Sequence, residues 1–87
     1  MVNFWLARII KKQAIKDINY LLSTFQGRSS KNLDQTLKDM RAAVLHYFQT
    51  HPGCVQYFIH DGTRLDYRFH IEEKSGVLIR ITFEEKD

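Results

Sequence analysis

Between residues 11 and 26, Ala14, Ile15, Ile18, Leu21, Leu22 and Phe25 recur at the spacing of one helical face, and Gly27 follows as a C-terminal cap. The opposite face carries Lys12, Lys16 and Tyr20 one turn apart, a stripe expected in solvent. A short loop through Gly27, Arg28, Ser29 and Ser30 leads to a second amphipathic stretch. Ser30 or Asn32 is its candidate N-cap, and Asp34 sits in the first turn, where the helix dipole favours a carboxylate. Its apolar face is Leu33, Leu37, Met40, Val44, Tyr47 and Phe48, and Pro52-Gly53 ends it. Two helices so closely joined are expected to pack antiparallel.

From Val55 the period changes to two. Val55, Tyr57 and Ile59, then Leu65, Tyr67, Phe69 and Ile71, then Val77, Ile79, Ile81 and Phe83 alternate with polar neighbours, as in strands with one buried face. His60-Asp61-Gly62 and Lys74-Ser75-Gly76 read as three-residue loops ending in a left-handed glycine. That register pairs Tyr57 with Leu65, Ile71 with Ile79 and Phe69 with Ile81 on the core face. On the other face it sets Cys54 beside Arg68, Arg68 beside Thr82, and His70 beside Arg80. The expected fold is α+β in two layers, an antiparallel helical hairpin packed on a three-stranded antiparallel meander.

The first ten residues break this pattern. As a helix, Val2, Trp5, Leu6 and Ile9 would point roughly opposite to Ile15, Ile18 and Leu22, so one straight amphipathic helix from residue 2 to 26 is not expected. A buried N-terminal strand, giving the order βααβββ, is the preferred reading. A helix that packs this apolar segment against a partner, such as a second copy of the chain, is the other.

Composition narrows the classes. Eighty-seven residues with 44% hydrophobic content suffice for one core, so residues 1–87 read as a single domain. The lone Cys54 excludes an internal disulfide, and Phe4 to Ile10 is too short to span a bilayer. With no signal-like start, a cytoplasmic chain without a membrane segment is expected. Net charge is +3, but residues 1–51 hold eight Lys/Arg against three Asp/Glu, and residues 52–87 hold five against seven. A basic half fits either a nucleic-acid footprint or ordinary solvated helix faces; Lys12 and Lys16 there, with Arg64 and Arg68 from the strands, are the candidate nucleic-acid contacts.

Candidate chemistry concentrates on the open sheet face. Arg68, His70 and Arg80 could hold a phosphodiester, with arginine stabilising negative charge and histidine moving a proton. The same residues also suit a solvated sheet face with cross-strand charge pairs, or a protein interface around Phe58 and Leu78. His46, His51, Cys54, His60 and His70 lack the paired spacing of structural zinc sites, so neither metal nor cofactor is expected. Cys54 beside Arg68 is a weak candidate nucleophile against the commoner packed cysteine.

With an N-terminal strand, the chain resembles the RelE/ParE superfamily of toxin–antitoxin toxins. The resemblance rests on the short apolar start, Ala14-Ile15-Lys16-Asp17-Ile18, the helix closing on His51-Pro52-Gly53, the central pattern Asp66-Tyr67-Arg68-Phe69-His70-Ile71, and Val77 to Phe83. It implies a small toxin neutralised by an antitoxin partner, acting as a metal-independent ribonuclease on ribosome-bound mRNA or acting on gyrase. Arg68 matches the family's central-strand arginine and Arg80 a supporting cation. The ending Glu84-Glu85-Lys86-Asp87 departs from the basic or aromatic C-terminal stretch usual in nuclease members.

Overall fold

The computed structural model describes residues 4–60, 64–65 and 67–85, with the backbone alone at Phe4, His60, Arg64 and Leu65. Its order corrects the expectation: helices come first, and the long sheet is a two-stranded hairpin rather than a three-stranded meander or a βααβββ array. Helix α1 runs Phe4–Leu22, α2 Leu33–Thr50 and α3 Pro52–Val55. Strands β1 (Ile59–His60) and β2 (Arg64–Leu65) form a two-residue pair, and β3 (Tyr67–Lys74) pairs antiparallel with β4 (Val77–Glu85).

The N-terminal strand is replaced by the start of α1. No glycine or proline interrupts residues 4–22, and Lys11-Lys12-Gln13-Ala14 are strong helix formers, so the helix continues through the phase break. The break has a different consequence. Ala14, Ile18 and Leu22 enter the core, whereas Trp5, Leu6 and Ile9 stay exposed. The helix stops at Leu22, before Gly27, because the Ser23 and Thr24 hydroxyls donate to the carbonyls of Tyr20 and Leu21 and the chain tightens into a 3-10 turn.

The segment 23–32 is no simple hairpin loop. Gly27 donates to Leu78 O at 2.8 Å, Leu78 N–H donates to Arg28 O at 2.9 Å, and Ser30 donates to Gly76 O at 2.9 Å. It therefore lines the outer edge of β4. As a result the C-terminal halves of α1 and α2 meet, with the Tyr47 hydroxyl donating to Asp17 Oδ2 at 2.9 Å.

The expected first strand is helical. Pro52 opens α3, a position that needs no N–H donor, and Gln56–Phe58 continues as a 3-10 turn. Phe58, expected on the open sheet face, is instead 1% exposed, its ring 5.2 Å from Phe48 and 5.9 Å from Phe83. The expected pairing of Tyr57 with Leu65 goes with the strand; Ile59 is the residue opposite Leu65. The expected turn at residues 60–62 falls at His60 and on residues outside those described.

The β3–β4 register also differs. Ser75 and Gly76, at φ 55° and 79°, form a two-residue turn of the type that needs positive φ at both positions. Phe69 now faces Phe83, Ile71 faces Ile81 and Glu72 faces Arg80. Between Glu72 and Glu73 the register shifts, leaving Ile79 as an extra residue on β4. This bulge reverses the strand's phase: Leu78 is buried, while Val77 and Ile79 are exposed.

The core lies between the sheet and the helices, with Ile18, Leu22, Met40, Val44, Phe48, Phe58, Leu78, Ile81 and Phe83 at its centre. Asn19 ties α1 to β4. Its Oδ1 accepts the Phe83 N–H at 2.6 Å and its Nδ2 donates to Phe83 O at 3.5 Å. Asn19→Ala strips a part-buried strand N–H of its acceptor and is expected to cost about 1–3 kcal/mol in urea unfolding. Asn19→Asp keeps the acceptor and is expected to cost less.

Candidate interaction surfaces

Arg68 and His70 share the solvent face of β3, opposite the helices, with Arg80 on the same face of β4. The corrected register gives them carboxylate neighbours. Arg68 stands across from Glu84, its Nε donating to Glu84 Oε2 at 3.0 Å. Arg80 Nη1 and His70 Nε2 each lie 3.6 Å from Glu72 Oε1, and His70 faces Thr82 rather than Arg80. The side chains of Arg68, His70 and Arg80 are more than half exposed, so the arrangement is a solvated row of alternating charges. Cys54 lies in α3, not opposite Arg68, and is a half-buried thiol packed against the core. The Arg64 backbone pairs with His60 in the β1–β2 hairpin, and its side chain is outside the described residues. Among the described residues, no group of three or more His, Cys, Asp or Glu is placed to hold a metal, and no helix is long and apolar enough to cross a membrane.

Lys12 and Lys16 belong to another surface, the outer face of α1. At 100° per residue, Trp5, Ile9, Lys12, Lys16 and Tyr20 follow one another along a single face of α1. This face points outward: Trp5 is 74%, Ile9 58% and Tyr20 78% exposed. Beside it runs a groove of about 610 Å³ bordered by Trp5, Arg8, Ile9, Lys12 and Ile15 and closed by a Lys11–Glu85 ion pair. No acidic residue precedes Asp17 in α1. The lysine stripe was legible from spacing alone. Spacing alone does not join it to Trp5 and Ile9, because the phase break near Ile10 suits a strand or a separately packed helix equally well.

A second groove, about 390 Å³, opens where the ends of α1 and α2 meet and is lined by Tyr20, Leu21, His46, Tyr47, Thr50 and His51 with Asp17. His51 stacks on Tyr47 with ring centres 4.1 Å apart. Burial and the hydrogen bond to Asp17 push the Tyr47 phenol well above its ordinary range. The folded state thus holds this proton more tightly than the unfolded chain does. Its contribution to stability is complete below a pH of about 10 and is lost as the pH rises beyond that. Tyr47→Phe is expected to cost about 1–2 kcal/mol at neutral pH and to flatten the alkaline limb of a stability-versus-pH profile. At the surface, hydrogen bonds from Arg28 and Gln35 hold the Asp39 carboxyl below its usual range.

Comparison of the chain with models of protein families, with curated proteins and with solved structures finds no match in any of the three.

Proposed function

We propose that this chain is a non-enzymatic interaction module that binds an acidic, partly apolar segment of another protein along the outer face of α1. The observation that carries this reading is the exposure of Trp5, Leu6 and Ile9 on the same helix as Arg8, Lys12 and Lys16, with no acidic residue among them. An exposed apolar patch flanked on its own helix by cations, with the carboxylate at its border, Glu85, already paired to Lys11, marks an interaction site, and the excess positive charge selects the partner. Self-pairing of this face, the homodimer that the apolar start suggested, would oppose like charges and is disfavoured. Leu6 and Ile9 are aliphatic and offer nothing to a phosphate or a base, which favours a protein over a nucleic acid.

The toxin reading shares the acidic partner, which would be an antitoxin, and differs in requiring Arg68, His70 and Arg80 to act on RNA or gyrase. The carboxylates beside all three favour binding over phosphodiester chemistry. The βααβββ order that the RelE/ParE resemblance implies is also not the order observed.

Selection of a random peptide library against the full chain tests the proposal. Enriched peptides are expected to combine Asp/Glu with large apolar residues and to lose binding to a Lys12→Glu/Lys16→Glu variant. Enrichment of peptides without acidic residues, or binding unaffected by the charge reversal, would overturn it.

A further inference from the structure

The two edges of the β3–β4 hairpin are treated differently. The outer edge of β4 is occupied by residues 27–30 and by the Asn19 amide. The outer edge of β3 is not bonded by any other strand among the described residues. An eight-residue strand with one open ladder of N–H and C=O groups is a template for another strand, and the side chains on that strand decide which one it accepts.

The β3 sequence Arg68-Phe69-His70-Ile71-Glu72 is complementary to itself read backwards. From this we infer that the open edge of β3 pairs with β3 of a second copy of the chain, antiparallel and centred on His70. In that register Arg68 stands opposite Glu72 of the second copy, Phe69 opposite its Ile71, and His70 opposite its His70. The twofold axis repeats each pair in reverse.

The existing hairpin register extends the match across four strands. Because Arg68 already faces Glu84 and Glu72 already faces Arg80, one row reads Glu84, Arg68, Glu72, Arg80, with the last two from the second copy. Charges alternate in sign along the whole row, and the symmetric row does the same. On the other face, Phe83 and Phe69 of one chain continue into Ile71 and Ile81 of the next, extending one apolar surface. A shift by one residue would set Arg68 against Glu73, which lies on the other face of β3, and lose both rows. Thus the residues first read as a candidate catalytic cluster become the specificity code of a dimer edge.

Sedimentation of the full chain over a wide range of concentration, with two single charge reversals, tests this. The wild-type chain is expected to rise from one-chain to two-chain mass as concentration increases. Glu72→Arg opposes Arg68 with arginine in both halves of the dimer, and Arg68→Glu opposes Glu72 with glutamate, so each variant alone is expected to stay at one-chain mass. Their equimolar mixture restores both pairs and is expected to recover two-chain mass. Circular dichroism confirms that each variant is folded. If a reversal unfolds the chain, Arg68→Gln and Glu72→Gln remove the pairing without repulsion and are expected to weaken the dimer several-fold. A wild type of one-chain mass at every concentration, single variants that dimerise like wild type, or a folded mixture that fails to dimerise would each overturn the inference.

Discussion

Phe58→Ala is expected to destabilise the protein by about 3–5 kcal/mol in urea unfolding, the range for emptying a buried phenylalanine site. A domain of this size holds roughly 5–15 kcal/mol in total, so the variant should be partly unfolded at moderate temperature. The effect is large because Phe58 is a keystone rather than a strand residue. Its ring touches α2 through Phe48 and β4 through Phe83, and the Lys11 ammonium of α1 lies 5.9 Å above it. Were Phe58 on an open sheet face, truncation would cost under about 1 kcal/mol. The two accounts are well separated.

The second large effect is a contrast between neighbours. Leu78→Ala is expected to cost about 2–5 kcal/mol, and Ile79→Ala within about 0.5 kcal/mol of nothing. A regular strand with Val77, Ile79, Ile81 and Phe83 inward demands the reverse. The bulge at Ile79 turns Leu78 into the core, where it is 1% exposed, and leaves Ile79 47% exposed. Leu78 also anchors residues 27–28 through both of its backbone groups, so its side chain and main chain hold the same corner. Comparable losses at both positions would mean the strand is not bulged there.

What the sequence disclosed and what it hid follow from the range of the forces involved. The second helix was legible because Met40, Val44, Tyr47 and Phe48 follow one period and Asp34 and Pro52 mark its ends. The β3–β4 hairpin was legible for the same reason, including the solvent face shared by Arg68 and His70. Its register was not, because it depends on Ser75 accepting a positive φ that a sequence reading reserves for glycine. Alternation at Val55, Tyr57 and Ile59 suggested a strand, but proline at 52 starts a helical turn and Phe58 finds more apolar surface between Phe48 and Phe83 than on a sheet. The phase break near Ile10 was real. It marked the point where α1 passes from the core to a solvent-facing apolar patch, which no local pattern distinguishes from a strand. The candidate cations were found, but their carboxylate neighbours depended on the two-residue change in register.

The central claim is that this chain works by binding and not by phosphodiester chemistry at Arg68. Induced expression of the wild-type chain and of Arg68→Ala in a bacterial host, with soluble protein verified for both, tests it most directly. The account predicts indistinguishable growth and intact cellular RNA for the two. Growth arrest by wild type that Arg68→Ala relieves would contradict it.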